Sequence, residues 1–470
     1  MKAIKIFFAV VASVLLAAGC QQQQKDEYGY TIKDGMVVYN TPERPAGQQS
    51  MLGFAAEPIE TVRIGFVGLG MRGRGAVSRY TFIDGVQIVA LCDLLPEAVE
   101  RSQKTLERAG LPRAAEYVGE EAYKQLCERD DIDLVYLAVP WQLHTTIAVY
   151  AMEHGKHVAV EVPAATSIAE CWALVNTSER TRRHCMMLEN CCYDFFELTC
   201  LNMAQQGLFG EVYHVEGSYQ HCLAPYWDRY QGDWRMEFNR EHKGDLYPTH
   251  GLGPVAQVLN IHRGDKMDVL VSMETKPFAG QKVADKRYGE GAYDYQNGDN
   301  TTTLIRTHNG KTIVIEHGVI TARPYSRMYE VTGTGGYAIK YPTEGIALGG
   351  GDKTGEEVAV DDLDAEEFLS QEEMEKLMEE YQHPITKEGS LVETAKKVGG
   401  HGGMDFIMDY RLIYCLHKGL PLDQDVYDAA EWSCLIELTE TSIRNGNKPV
   451  VIPDFTRGEW DKLDGLKLAL

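Results

Sequence analysis

The sequence predicts an α/β protein in which a doubly wound parallel sheet is followed by an α+β domain built on a large, mostly antiparallel sheet. Three observations carry this. Short apolar runs at Val62–Val67, Val86–Cys92, Leu134–Val139 and His157–Val162 alternate with helical segments, the pattern of parallel strands joined by crossover helices. A glycine-rich loop directly follows the first run. Beyond about Asn190 the texture changes to strands separated by turns, with Asn309-Gly310 between two of them, a strong hairpin signal.

The first 20 residues read as a targeting segment. Lys2 and Lys5 precede an apolar run, Ile6–Ala18, that is too short to span a bilayer in the mature protein. It closes on Leu16-Ala17-Ala18-Gly19-Cys20, which resembles the lipobox of bacterial lipoproteins, although Ala17 stands where leucine is usual. There the cysteine is lipidated and becomes the new N-terminus. Gln21–Gln24 and Lys25-Asp26-Glu27 follow, similar to the acidic tag of surface-exported lipoproteins. The expectation is an exported bacterial lipoprotein, membrane-anchored through Cys20 and facing the periplasm or the cell surface; a plain secretory signal is the alternative.

Residues 21–60 mix polar residues with Gly and Pro and read as a tether and N-terminal arm. Residues 61–190 form the predicted dinucleotide-binding domain, with a helix at Glu97–Ala109 and another at Thr145–Met152. Residues 191–455 form the second domain, with strands at Val212–Tyr219, Met267–Thr275, Thr301–Thr307, Lys311–Glu316 and Arg327–Thr334. Asp361–Tyr381 reads as an acidic, helical surface insertion, and Met404–Leu416 and Tyr427–Ile443 as closing helices. Residues 456–470 are left as a tail.

Composition narrows the function. A content of 44% hydrophobic and 24% charged residues fits a globular protein, and a net charge of -23 repels phosphate backbones, which excludes nucleic acid as a natural partner. The ten cysteines after Cys20 show neither Cys-x-x-Cys nor a zinc spacing, so no metal is expected. Cys92, Cys171, Cys415 and Cys434 sit in apolar runs, which predicts buried free thiols. Oligomeric state stays open, with association through an exposed sheet face as one outcome.

The glycine loop reads Gly68-Leu69-Gly70-Met71-Arg72-Gly73. It follows a strand, opens a helix, and has Asp93 twenty positions beyond it at the end of the next strand. That is the context of a Rossmann dinucleotide fingerprint. Gly68 permits the turn, Gly70 lets backbone approach a pyrophosphate, and Gly73 lets helix pack on strand, with the helix N-terminus facing the phosphates. Asp93 is expected on the adenosine ribose, where its charge repels a 2′-phosphate and selects NAD over NADP.

Three further blocks sit at strand ends: Val139-Pro140-Trp141-Gln142-Leu143-His144, Gly155-Lys156-His157-Val158 and Glu161-Val162-Pro163. In this order they resemble the glucose-fructose oxidoreductase and inositol dehydrogenase superfamily, over roughly residues 62–341. Two departures matter. Val162 replaces the lysine usual between Glu and Pro, and valine cannot relay a proton. Trp141 stands where asparagine is usual. Glu161-Val162-Pro163, Glu189-Asn190, Tyr219-Gln220-His221, Leu246-Tyr247-Pro248-Thr249-His250-Gly251 and Arg323-Pro324-Tyr325-Ser326 resemble one branch of it: glycoside hydrolase family 109, the NAD-dependent α-N-acetylgalactosaminidases.

That resemblance implies a retained NAD and a reaction without net redox change. C3 of the sugar is oxidised, the C2 proton is removed, the C1 leaving group is eliminated, water adds, and the cofactor returns its hydride. It implies a glycan or small glycoside carrying N-acetylgalactosamine as substrate, and no carboxylate pair of the usual glycosidase kind. His250 is the expected acid/base, since imidazole titrates near working pH. Tyr247, three positions earlier, shares its face of a turn. Tyr219, Arg235 and Tyr325 are expected on the sugar with them. Gly68, Gly70, Met71, Arg72, Gly73, Asp93, Trp141, Gln142, Leu143, His144, Glu161, Val162 and Asn190 are expected on the cofactor. Tyr193 is a weaker candidate for that site. His401, in Gly399-Gly400-His401-Gly402-Gly403, lies in a loop that either covers the site or simply starts a helix. The alternatives are an NAD-dependent sugar oxidoreductase of the same superfamily and a non-catalytic sugar-binding lipoprotein.

Overall fold

In a computed structural model the described residues are 28–320, 322–349, 366–387, 389 and 391–469. The targeting segment, Cys20, the acidic tag and the start of the acidic insertion lie outside them.

The arm contributes a hairpin, β1 (Tyr30–Lys33) and β2 (Met36–Tyr39), paired antiparallel. The first sheet then follows: β3 (Val62–Val67), β4 (Val86–Asp93), β5 (Ala115–Val118), β6 (Leu134–Leu137), β7 (His157–Val160) and β8 (Cys185–Met187). These six strands are all parallel, in the order β5-β4-β3-β6-β7-β8. It is the doubly wound order, whose reversal between β3 and β6 opens a crevice at the carboxyl ends of the strands. β6, β7 and β8 are buried along their whole length, which is why they appear in sequence as unbroken apolar runs.

The helix expected from Thr145 begins earlier, at Trp141, and runs to Glu153. Pro140, just ahead of it, has φ -56, a value already suited to helix entry. Trp141–His144 therefore form a first helical turn at the end of β6 rather than a loop.

The second domain is built on β9 (Val212–Gln220), β10 (Met267–Glu274), β11 (Thr301–Thr307), β12 (Thr312–Gly318), β13 (Tyr329–Gly333), β14 (Gly336–Lys340), β15 (Gly345–Leu348) and β16 (Val450–Val451). With the arm they make a ten-stranded sheet, ordered β1-β2-β16-β10-β11-β12-β9-β13-β14-β15. Among the described strands of this sheet, only β9 with β12 and β2 with β16 run parallel. The Asn309-Gly310 hairpin is present, closed by Thr307 N–H to Lys311 O at 2.9 Å. Its loop has three residues, and Gly310 alone carries the positive φ, 86, which fits a type I turn closed by a left-handed residue. The closing segment expected as one helix, Tyr427–Ile443, is two, Val426–Ser433 and Leu435–Arg444.

One packing contact positions the site. The helix Thr249–Val258 lies on β9 backbone to backbone: a Cβ on Gly217 would fall 2.1 Å from the Gly251 carbonyl oxygen. Gly253 makes room beneath the same helix, since a Cβ there would meet Glu189 Cγ at 2.8 Å. Ten described cysteines are free, nine of them buried.

Candidate functional site

The glycine loop is built for close approach. Gly68 has φ 88, and a Cβ on it would sit 2.4 Å from the Ala138 carbonyl oxygen. A Cβ on Gly73 would lie 1.8 Å from the Gly68 carbonyl oxygen. Gly70 differs: nothing lies within 4 Å of its Cβ position. It is the N-cap of the Met71–Tyr80 helix and offers no side chain to the first N–H groups. An uncapped helix start beneath open space is what a pyrophosphate needs. Asp93 stands at the edge of this loop, accepting hydrogen bonds from the Leu69 N–H at 2.6 Å and the Leu95 N–H at 2.9 Å. Met71, Gln142 and Leu143 are exposed above it.

Arg72 points away from the loop into a charge network. It donates to Glu161 at 3.2 Å and to Asp405 Oδ2 at 2.9 Å. Tyr136 also donates to Glu161, at 2.9 Å, and Asn190 Nδ2 donates to Asp405 Oδ1 at 2.5 Å. Burial pushes Asp405 up, but Arg72, His401 and Arg79 outweigh it and hold the carboxylate well below its ordinary value. Asp405 thereby ties the second domain to the glycine-loop helix. His144 is buried, its ring nitrogens 2.7 Å from the Pro163 carbonyl and 2.8 Å from the Val139 carbonyl. It holds two strand-end loops together. Val162 is buried beside them.

Tyr247 and His250 come together as expected. Their rings meet edge to face at 4.8 Å. Tyr247 stacks on Trp141 at 5.5 Å and 22°, so a cofactor-domain helix directly abuts the turn. Tyr219 packs against both rings, at 4.8 Å from Tyr247 and 5.3 Å from His250. Tyr325 lies 6.4 Å from Tyr219, and its hydroxyl is shifted above the ordinary phenol value by burial. Arg235 is buried, its guanidinium 4.6 Å from the Tyr247 ring and 4.9 Å from the Trp141 ring. It donates to the Tyr230 hydroxyl at 2.7 Å, and its Nε has no partner. No carboxylate among the described residues pairs with it. A buried cation left in that state calls for a polar ligand.

Three contributors escaped the sequence reading. Glu189, at the end of the parallel sheet, is fully buried, and His250 Nδ1 lies 2.7 Å from its Oε1. Burial pushes its carboxyl up, but the His250 charge and hydrogen bonds from His250 and the Cys191 N–H bring it below its ordinary value. The sequence showed Glu189 beside Asn190 but gave no sign of which side chain it would meet. His317 lies on the inner face of β12, stacked against Tyr219 at 6.5 Å, with neither ring nitrogen hydrogen-bonded. Burial and the Arg235 charge hold it down at about 3. Asp245 is the third, buried and accepting from the Tyr247 N–H at 2.9 Å.

Two weaker candidates lie off the centre. Tyr193 is fully buried, its hydroxyl 3.4 Å from Asp423. His401 sits in a run of five residues with positive φ, from Gly399 to Gly403. It is exposed, with Nδ1 3.0 Å from Asp405 Oδ2, and residues 401–403 form a short turn leading into the Met404–Lys418 helix.

Asp245 carries a pH prediction. Burial pushes it up to about 7. The folded chain therefore keeps this proton after the unfolded chain has lost it near pH 4, so stability falls as pH rises between about 4 and 7. Asp245→Asn removes that term while keeping an acceptor for Tyr247. Urea denaturation should show the variant gaining on wild type by about 2 kcal/mol between pH 5 and pH 8; a gap that does not change with pH would contradict the assignment.

Residues 193–462 match the family model described as "Glycosyl hydrolase 109, C-terminal domain", and residues 62–189 match "Oxidoreductase family, NAD-binding Rossmann fold". The chain is 60% identical over 435 residues to Glycosyl hydrolase family 109 protein 1 of Bacteroides thetaiotaomicron, covering 92% of this chain and 93% of that one. It is 56% identical over 467 residues to the protein of the same description from Phocaeicola vulgatus, covering 99% and 98%. Among solved structures it resembles a levoglucosan dehydrogenase in complex with NADH and levoglucosan, with TM-score 0.62 and 18% identity over 84% of this chain and 99% of that one. It also resembles an aldose-aldose oxidoreductase from Caulobacter crescentus complexed with glycerol, with TM-score 0.56 and 16% identity over 83% and 99%. At these identities the structures share the fold.

Proposed function

The chain belongs to glycosyl hydrolase family 109, and from that premise we propose that it is an NAD-dependent glycosidase that removes terminal α-linked N-acetylgalactosamine. The observation that carries the reading is the contact between domains. The Tyr247–His250 turn rests on Trp141 and Glu189, both at the carboxyl ends of the parallel sheet, so a sugar held by the turn lies at the mouth of the dinucleotide crevice.

The glycine loop, the bare helix start at Gly70 and Asp93 fit the dinucleotide. When bound, NAD supplies reversible hydride withdrawal at the sugar's C3, which acidifies the C2 hydrogen in between and leaves no net redox change. The chain's own residues supply position and proton transfer. Glu189 fixes the His250 ring by holding Nδ1 at 2.7 Å, which leaves Nε2 to take the proton from C2. Loss of that proton forms a C1–C2 double bond and expels the C1 substituent, which takes up a proton from water; a second water then adds its hydroxyl to C1 while His250 returns a proton to C2. Arg235 and the Tyr219 and Tyr247 hydroxyls hold the sugar's oxygens, the acetamido carbonyl among them. Trp141 packs edge to face on Trp234 at 5.2 Å and on Phe238 at 5.3 Å, an apolar wall that excludes bulk water from one side. Val162 offers no proton relay, in keeping with a cycle that releases no oxidised sugar. The same reading has the enzyme exported and lipid-anchored through Cys20, where a retained cofactor suits a compartment poor in free NAD.

The test is release of the chromophore from an aryl α-N-acetylgalactosaminide by purified protein with no added cofactor. Many turnovers without NADH absorbance at 340 nm are expected. One equivalent of NADH per sugar would make the protein an oxidoreductase instead, and binding without turnover would make it a sugar-binding lipoprotein.

A further inference from the structure

Three donors of different chemistry converge behind the sugar cluster. Glu189 and Cys191 lie at the start of the short turn Asn190–Tyr193, just after β8. His250 arrives on the Thr249–Val258 helix, which packs against that turn. A carboxylate oxygen of Glu189, the Cys191 sulfur and a ring nitrogen of His250 all lie within 4.8 Å of one another. Glu189 and Cys191 are buried, while His250 keeps 12% of its side chain exposed, so an ion reaches the group from the sugar side.

Glu189 has bonding capacity to spare. Its Oε1 accepts from the Cys191 N–H at 3.0 Å and engages His250 Nδ1 at 2.7 Å. Its Oε2 has no hydrogen-bond partner, although the side chain is fully buried. A buried carboxylate oxygen left in that state is costly and offers its lone pairs to a cation. The donor set decides which cation. Sulfur and imidazole nitrogen suit zinc, whereas magnesium and calcium take oxygen ligands. Carboxylate and thiolate together balance the two charges of the ion, and three protein ligands leave a fourth position for water.

We propose that Glu189, Cys191 and His250 form an inhibitory zinc site behind the sugar cluster. This rests on the glycosidase reading above and adds a means of switching that activity off. Binding exchanges the Cys191 thiol proton, released to solvent, for a sulfur–zinc bond. Zinc on His250 Nδ1 replaces the hydrogen bond to Glu189 and leaves the ring's proton on Nε2. That nitrogen must be bare to accept the C2 proton, so the ligated imidazole is no longer a base. None of the three ligands belongs to the glycine loop, and the inhibited enzyme keeps its NAD.

The experiment takes NAD-loaded protein freed of metal by a chelator, with zinc chloride as the probe. Calorimetry should show one zinc bound per wild-type chain, and magnesium chloride should give no binding heat. Cys191→Ala and Cys191→Ser keep the backbone N–H that Glu189 uses. Both should bind zinc more weakly by over about a hundredfold, since removing a ligand exceeds the loss from an outer-shell change. Cobalt in place of zinc should give the strong visible bands of a tetrahedral site and a near-ultraviolet thiolate band, which Cys191→Ser lacks. Wild-type turnover of the aryl glycoside should fall about a hundredfold as zinc fills the site, in line with the loss of a positioned base, and return when chelator is added. Both variants should turn over at the wild-type rate with or without the same zinc. Equal zinc binding by wild type and both variants would put the ion elsewhere and overturn the site, as would bound zinc that leaves turnover unchanged. If wild type shows no turnover at all, the glycosidase reading falls, and calorimetry with the cobalt spectrum decides the metal site by itself.

Discussion

His250→Ala keeps its bound dinucleotide and turns substrate over about a thousandfold more slowly than wild type, within the range expected when a positioned acid/base is removed. The two halves of that expectation come from different places. His250 stands on the Thr249–Val258 helix of the second domain, and no element of the glycine loop depends on it. Its ring contacts Glu189, Tyr219 and Tyr247, so alanine leaves a hole among sugar-facing groups and spares the cofactor cradle. Glu189→Gln is the informative companion. Glutamine still accepts from Nδ1–H but brings no charge, so it should cost less than alanine at 250 and should act on kcat more than on KM. The checks are steady-state kinetics and the nucleotide content of the purified variants. An unchanged kcat in His250→Ala would remove the residue from its role.

Gly73→Ala is expected to be the most damaging single methyl in the first domain. Its Cβ would fall 1.8 Å from the Gly68 carbonyl oxygen, a backbone atom that cannot rotate aside. Helix and strand must then separate, at a cost of about 1–3 kcal/mol or more for an overpacked contact, and the loop loses the shape that receives a pyrophosphate. The variant should melt several degrees lower and purify without nucleotide. Gly70→Ala separates these effects. Gly70 has φ -66 and open space at its Cβ position, so alanine there should leave the melting temperature of the nucleotide-free protein unchanged while weakening NAD binding. Wild-type stability in Gly73→Ala would contradict the close-packed loop.

The contrast between those two glycines shows what a sequence reveals here. The fingerprint spacing identified both, because a strand, a tight turn and a helix leave little choice of residue. The inner strands were legible for a related reason: β6 and β7 are buried on both faces and can only be apolar runs. β1 could not be read this way, since all four of its residues are exposed and its pairing depends on a partner chain segment rather than on its own pattern. β16 is two residues long and exists through its neighbours β2 and β10.

The candidate site divides similarly. Tyr247 and His250 lie three positions apart, so local geometry was enough to put them together. Glu189 reaches His250 across 61 positions, and His317 meets Tyr219 only because β9 and β12 pair in parallel. Long-range pairing of that kind leaves no local trace. Arg72 was expected at the cofactor on the strength of its place in the loop; Glu161 and Asp405 engage its guanidinium from the sheet and from the second domain.

The central claim is that the glycosidic bond breaks by elimination after loss of the C2 proton, and hydrolysis in D2O tests it most directly. Proton NMR of the released N-acetylgalactosamine should show deuterium at C2, introduced from solvent when water adds across the C1–C2 double bond. Released sugar that keeps its full C2 hydrogen signal would mean cleavage by direct displacement and would contradict the account.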